Sequence, residues 1–245
     1  MARAIYLLFG FAAYLIFFAT FLVLIGFVAD YPGLPWTVDL GPAASMPVAI
    51  AIDLALIALF GVQHSVMARP AFKAAWTRIV PEAIERSLYV LLASLCLILL
   101  YLFWRPLPAV LWSVANPAGA YILWALFGLG WLIVLVSTFL LNHFELFGLQ
   151  QVWSHGSEEG MPAPEFRTPL FYKHVRHPLY SGFVLAFWAT PLMTVGHALL
   201  AAGMTVYILI AIVHEERDLV GLFGQEYRDY RQRAGMLIPK FGGGG

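Results

Sequence analysis

Apolar positions along this chain run in blocks too long for the core of a soluble domain. Residues 4–29, 47–67, 84–103 and 119–141 are almost wholly apolar. Each block ends at a polar or proline-bearing breaker, such as Asp30-Tyr31-Pro32-Gly33 or Ala68-Arg69-Pro70. A helix needs about 20 residues to cross a hydrocarbon core of ~30 Å, so the pattern predicts four full spans. The next apolar stretch, 179–213, would be ~52 Å long as one helix. Pro191, Gly196 and His197 interrupt it, and a hairpin of two short arms is expected instead. The predicted fold is all-α: a polytopic transmembrane bundle of four spans, a C-terminal helical hairpin and a cytoplasmic amphipathic helix. It forms a single domain over 1–241, made of spans in 1–141, a connection at 142–178, the hairpin at 179–213 and a tail at 214–241. The glycines at 242–245 read as a cloning remnant. The first block is too long for a signal-peptide core and lacks a small-residue cleavage site, so it is expected to be retained. Trp36, Trp104, Trp112 and Trp153 lie near span ends, where interfacial anchoring is expected.

Composition agrees. The chain is 61% hydrophobic and 11% charged, against about 45–50% and about 25% in soluble domains. Net charge is zero, which removes the electrostatic case for nucleic acid. One cysteine, Cys96, sits inside an apolar block and excludes a disulfide framework or a cysteine-based zinc site, and no metal is expected.

Basic residues set the topology. The loop at 30–46 has no Lys or Arg, whereas the next connection has Arg69, Lys73, Arg78 and Arg86. Loop 104–118 has Arg105 alone; segment 142–178 has Arg167, Lys173 and Arg176; the tail has Arg217, Arg228, Arg231, Arg233 and Lys240. Cytoplasmic loops are enriched in Lys and Arg, so the N-terminus, the second connection, 142–178 and the tail are placed inside. Four polar constellations then share one membrane face.

The first is Gln63-His64-Ser65, near the inner end of the second span. An amide and an imidazole there suit proton movement or substrate orientation, although a helix end emerging among headgroups has the same composition. The second is Asn142-His143-Phe144-Glu145. In a continuing helix Asn142 and Glu145 share a face and His143 points away from it; Gly148 is the first residue that permits a break. The third, 171–182 (FYKHVRHPLYSG), is the densest. Pro178 suits the first turn of a helix, leaving Arg176 and His177 at a helix N-terminus that favours an anion. Positive-inside anchoring accounts for Lys173 and Arg176 but not for two histidines. The fourth, His214-Glu215-Glu216-Arg217, is expected to end the hairpin. Leu219, Val220, Phe223, Tyr227 and Tyr230 then recur at helical steps, and Glu216 falls on their stripe and should face inward, where a carboxylate needs a partner. Asp53 and His197 lie in the outer half and are read as structural.

The joint pattern Arg176-His177-Pro178-x-Tyr180-x-Gly182, an apolar hairpin, Glu215-Glu216-x-x-Leu219, Phe223-Gly224-x-x-Tyr227-x-x-Tyr230 and Ile238-Pro239 resembles the isoprenylcysteine carboxyl methyltransferase superfamily of membrane enzymes. The resemblance covers roughly the last 75 residues, a pattern also found in bacterial phospholipid methyltransferases and NnrU proteins. Upstream, Gln63-His64-Ser65-x-Met67 and Asn142-His143-Phe144-Glu145-Leu146-Phe147-Gly148-Leu149-x-Gln151 look like the bacterial methanethiol S-methyltransferases. The resemblance implies S-adenosylmethionine as cofactor, held by Tyr172, His174, Arg176, His177, Tyr180 and Glu216, and the chemistry of the residues adds Glu215 as an alternative to Glu216 for the ammonium or ribose hydroxyls. It implies methylation of methanethiol to dimethyl sulfide; the thiol's proton needs an acceptor, for which His64, His143 and Glu145 are the candidates by their chemistry, with His64 beside Asn142 or Glu145 as the arrangement their positions suggest. Thr168-Pro169-Leu170-Phe171-Tyr172 departs from the Gly-Pro-Tyr of the carboxyl methyltransferases, which weakens a prenylcysteine acceptor. The expected partners are a small volatile thiol and membrane lipid, with no nucleic acid and no obligate protein. Other acceptors (a prenylcysteine carboxylate or a phospholipid) are the nearest alternative. A haem-binding electron carrier is the more distant one, for which His64 and His143 would supply a single pair.

Overall fold

The computed structural model describes residues 2–155 and 165–240. The glycines at 242–245 and part of the 142–178 connection lie outside them. The elements in chain order are α1 (Ala2–Val28), α2 (Met46–Met67), α3 (Pro70–Trp76), α4 (Glu82–Phe103), β1 (Val110–Ser113), α5 (Pro117–Leu140), α6 (His143–Leu146) and α7 (Leu149–Ser154). A 3-10 turn at Leu170–Lys173 follows, then α8 (Pro178–Trp188), β2 (Leu192–Thr194), α9 (Val195–Phe223) and α10 (Gln225–Arg233). The two short strands make one two-stranded sheet.

Five helices among the described residues are long and apolar enough to cross a membrane: α1, α2, α4, α5 and α9. The protein is a multi-pass, all-α membrane bundle. The first four match the expected spans to within two residues at each end. The hairpin differs from expectation in its second arm. Its first arm, α8, is short, at 11 residues, but α9 runs for 29 residues without a break. The chain turns at Ala189–Thr194, around Pro191; Gly196 and His197 instead lie in the first turn of α9. The Glu215-Glu216 pair therefore does not end the arm. The helix continues to Phe223, and Gly224, at φ 59°, breaks it before α10. Left-handed backbone of this kind is what glycine tolerates and other residues do not.

The chain divides into two compact units. Unit 1 holds Met1–Leu111, Asn142–Ala163 and Met193–Leu200. Here α4 packs against both α1 and α2, with α7 against α1 and α4. Gly148 (φ 86°) permits part of this: a Cβ there would meet the Ser87 backbone N at 2.7 Å. The Ser87 hydroxyl donates to the Gly148 carbonyl at 3.2 Å. Asp53 and Trp104 close the far end, Asp53 accepting from the Arg105 amide at 2.9 Å and the Trp104 indole donating to the Val38 carbonyl at 3.0 Å. Asp53, read from the sequence as structural, thereby anchors the Arg105 backbone. Trp104 is not the expected interfacial anchor, because it is 1% exposed and belongs to the core.

Unit 2 holds Trp112–Leu141, Pro164–Leu192 and Ala201–Gly245. Its helices α5 and α8 touch backbone to backbone through Gly130 and Gly182: a Cβ on Gly130 would come within 2.7 Å of the Gly182 carbonyl oxygen. Small residues at such crossings let membrane helices gain close packing where lipid offers no hydrophobic drive. The stripe Leu219, Val220 and Phe223 packs with Phe166 against buried Tyr227, Tyr230 and Ala234, folding α10 back onto the end of α9.

Candidate active site

In unit 2, the strongest sequence motif becomes a clamp. Pro178 occupies the first turn of α8 with His177 as its N-cap, as the missing proline N–H predicts. Residues 174–177 zip onto the C-terminal segment: the Gly235 amide donates to the His174 carbonyl (3.0 Å), the Arg176 amide to the Gly235 carbonyl (2.7 Å) and the His177 amide to the Met236 carbonyl (3.1 Å). Glycine at 235 is required by the turn that follows it, since a Cβ there would sit 1.8 Å from the Ile238 carbonyl oxygen. Ser181 adds a hydroxyl bond to the Leu237 carbonyl at 2.6 Å.

This zipper points two side chains at Glu216. The Arg176 Nε donates to its Oε1 at 2.6 Å, and His177 Nε2 lies 3.2 Å from the same oxygen. Arg231, from α10, donates to Oε2 at 3.0 Å. Glu216 is 6% exposed and faces inward, as its place on the apolar stripe predicts. A buried carboxylate is tolerable only when paired and hydrogen-bonded, and here three cationic or titratable groups converge on it. Arg176 also donates from Nη1 to the Ala234 carbonyl at 2.6 Å, so its guanidinium is fastened on two sides.

Glu215, one position earlier, has the other character. Its side chain is 42% exposed, and Tyr180 donates to its Oε2 at 3.0 Å. The ring of Tyr180 stacks on that of His177, with centroids 5.6 Å apart. Tyr172 is buried, and its carbonyl accepts from the Tyr230 hydroxyl at 2.5 Å. Burial pushes the Tyr172 and Tyr227 hydroxyls well above the ordinary phenol range and Tyr230 up to about 12, so all three stay protonated donors. The Tyr227 hydroxyl is buried and has no hydrogen-bond partner among the described residues. His174 is exposed and joins the cluster through its backbone.

Unit 1 holds the other candidates. Asn142 adopts φ 84°, so the helix breaks there, ahead of Gly148, and the condition of a continuing helix is not met. Asparagine is among the few residues that accept left-handed backbone, because its short amide bonds locally. Its Nδ2 donates to Glu145 Oε2 at 3.0 Å and to Gln150 Oε1 at 2.6 Å, while Gln151 donates to the Glu145 carbonyl at 3.1 Å. Asn142 and Glu145 are therefore joined, as expected, but by a cap and not along a helix face. His143 is buried, with its Nε2 2.8 Å from the Tyr14 hydroxyl and its ring against Phe147. Burial lowers its pKa from the ordinary imidazole value, keeping it neutral near pH 7. His64 packs between Phe60 and Tyr89, at centroid distances of 5.2 and 4.9 Å. The guanidinium of Arg86 lies 4.8 Å over the Tyr89 ring and donates from Nε to the Leu146 carbonyl at 2.8 Å.

Sequence reasoning singled out neither Tyr14, Arg86, Tyr89 nor Arg231 as a site residue, and it read Tyr227 and Tyr230 as an apolar stripe. Arg86 and Tyr89 are three apart on α4, a spacing that places a cation beside a ring and was a usable signal. Tyr14 carries no such signal inside its apolar block.

The chain is similar to methanethiol S-methyltransferase 1 of Bradyrhizobium diazoefficiens, 55% identical over 232 residues that cover 95% of this chain and 81% of that one. It is 54% identical to a methanethiol S-methyltransferase of Mycobacterium tuberculosis over 241 residues, 98% of each chain. It is also 33% identical to nurim of Rattus norvegicus over 192 residues, 75% of this chain and 73% of that one. No family model and no solved structure matches it significantly.

Proposed function

The chain belongs to the methanethiol S-methyltransferase family, and from that premise we propose that it methylates methanethiol to dimethyl sulfide with S-adenosylmethionine as donor. The observation that carries this is the likeness over the whole length of both chains to the Mycobacterium tuberculosis enzyme, which spans both polar clusters. We place the protein in a bacterial inner membrane, with the clamp of unit 2 facing the cytoplasm, where the donor is made.

The groups present in unit 2 fit such a donor. An unpartnered buried hydroxyl costs ~1–3 kcal/mol, and a polar ligand atom at Tyr227 removes that cost. Glu215 accepts from Tyr180 and, being partly exposed, has oxygen lone pairs left for an ammonium or ribose hydroxyls. Glu216 already receives Arg176, His177 and Arg231, so we assign it and Arg176 to positioning. They lock residues 174–177 and the start of α8, which fixes Tyr180 beside Glu215. We assign the rings of Tyr180 and Tyr172, the aromatic groups of this cluster, to cation–π contact with a sulfonium, worth ~0.5–2 kcal/mol. His174 is a direct contact only through its exposed ring.

When bound, the donor supplies an electrophilic methyl group on a positively charged sulfur. Transfer to a thiolate cancels two opposite charges, so a water-poor site lowers the barrier, and alignment contributes up to ~7–11 kcal/mol in well-oriented cases. The same dryness keeps the thiol protonated, so the protein must take its proton. The groups in unit 1 able to accept a proton are His64, His143 and Glu145, the last held by Asn142. His143 is neutral and can accept a proton; Glu145 is held by Asn142 and Gln151. Purified protein given S-adenosylmethionine and methanethiol should release dimethyl sulfide into the headspace, detected by gas chromatography. An empty headspace from folded protein would refute the reading.

A further inference from the structure

Beside the clamp, and sharing Arg176 and Arg231 with it, unit 2 has a second feature to which the proposed methyl transfer assigns no ligand. A cavity of about 550 Å³ is lined by Arg176, Arg228, Arg231, Gln232, Met236 and Lys240. Four of its six lining residues are basic and none is acidic. Glu216 neutralises one positive charge from behind, through Arg176 and Arg231. The whole chain has zero net charge, so this concentration of one sign is local.

The cavity does not suit the methyl donor. A sulfonium, an ammonium and one carboxylate sum to a single positive charge, and a cationic wall repels it. It suits an anion. Arginine forks match the oxygens of phosphate in bidentate fashion, and lysine supplies a further point charge. Gln232 and Met236 complete a rim that accepts a polar headgroup and an apolar stem.

Depth points the same way. Positions 195–214 of α9 carry no Asp, Glu, Lys or Arg, and about 20 helical residues span the ~30 Å hydrocarbon core. Glu215 and Glu216 thus emerge at the headgroup level. After the break at Gly224, α10 presents Arg228 and Arg231 just beyond that level. Lys240, exposed, donates to the Gln232 carbonyl at 2.7 Å, which places its charge at the edge of the cavity.

We propose that this cavity is an anion site for a phosphate-bearing ligand, drawn either from the headgroup of an anionic phospholipid or from a soluble phosphate. An occupant there lies against Arg176 and Arg231, the two guanidiniums that grip Glu216, so occupancy also stiffens the clamp.

Native mass spectrometry of the full-length protein in detergent tests this, with separate titrations of dioleoylphosphatidylglycerol, dioleoylphosphatidylcholine and inorganic phosphate. Arg228 and Lys240 are exposed, so Arg228→Gln/Lys240→Gln should keep the wild-type melting temperature. Wild type should take up phosphatidylglycerol in preference to phosphatidylcholine, and the double variant should lose about 30-fold in affinity, the share of two basic groups at an anionic surface. Lys240→Gln alone should lose about 5-fold. Saturable binding of inorganic phosphate without lipid preference, equally sensitive to the two substitutions, upholds the site and makes its ligand soluble. Equal uptake of both lipids with no phosphate adduct, or binding unchanged in the double variant, overturns the proposal.

Discussion

Arg176 and Glu216 meet at 2.6 Å, forty positions apart in the chain, and the pair is almost closed to solvent. The contact joins the start of α8 to the end of the apolar part of α9. It also explains why Glu215 and Glu216, adjacent in sequence, differ so much. Successive helix positions point about 100° apart, so one carboxylate faces the guanidiniums and the other faces Tyr180 and solvent.

Glu216→Gln tests the positioning role. Breaking a buried pair by removing one partner costs ~3–5 kcal/mol. Arg231 is 46% exposed on its side chain and water will screen it, so about 2–3 kcal/mol is expected here. The melting temperature in detergent should fall, and calorimetry should show S-adenosylmethionine affinity falling with it. Arg176→Ala should do the same. Wild-type melting and affinity in both variants would remove the clamp from the site.

Glu215→Gln separates binding from architecture. An amide oxygen still accepts from Tyr180, so stability should change by less than about 0.5 kcal/mol. A hydrogen bond to a charged group is worth ~1.5–3 kcal/mol, so donor affinity should drop by about 10- to 100-fold. If binding survives while Tyr180→Phe abolishes it, the direct contact belongs to the tyrosine and not to the carboxylate.

Much of this was legible in the sequence because it rests on local signals. Span positions follow from hydrophobic run length, the start of α8 from Pro178, and the inward direction of Glu216 from its phase relative to Leu219 and Phe223. The need of Glu216 for a partner follows from the same phase, but the phase does not say that Arg176, forty positions away, supplies it. The length of α9 was misread because Gly196 and His197 look like breakers; in the structure Gly196 sits where a Cβ would meet the Leu107 amide nitrogen at 3.0 Å, so its reason is packing. The break at Asn142 was missed because its left-handed backbone is rewarded by bonds to Glu145 and Gln150, the latter eight positions away. Tyr227 and Tyr230 read as apolar because a stripe shows which face is buried, not whether a hydroxyl at its edge finds a partner.

Stability should decline on mild acidification through His143. Burial holds its pKa below the ordinary value of 6.5, so folding favours the neutral ring and the unfolded chain binds more protons. The contribution is complete above about pH 6.5 and is lost as pH falls through the lower value in the folded protein. Melting temperature should therefore drop between about pH 7 and about pH 5, and His143→Gln should make that part of the profile shallower. A wild-type slope in the variant would mean that another group titrates.

The glycines of α5 provide a test with an internal control. Gly128 and Gly130 lie two residues apart on one helix, and the sequence does not distinguish them. A Cβ at Gly128 meets nothing within 4 Å, whereas at Gly130 it meets the Ala186 amide nitrogen and the Gly182 carbonyl oxygen, both at 2.7 Å. Backbone cannot swing aside as a flexible side chain can, so Gly130→Ala must push α8 away from α5. Overpacking of this kind costs ~1–3 kcal/mol. Gly128→Ala loses no contact and removes backbone entropy from the unfolded chain, so it should be neutral or stabilise by up to ~1 kcal/mol. Because α8 carries Tyr180 in its first turn, Gly130→Ala should also weaken S-adenosylmethionine binding, measured by calorimetry, while Gly128→Ala leaves it intact. Equal melting temperatures for the two variants would show that the α5–α8 contact is looser than the backbone distances require.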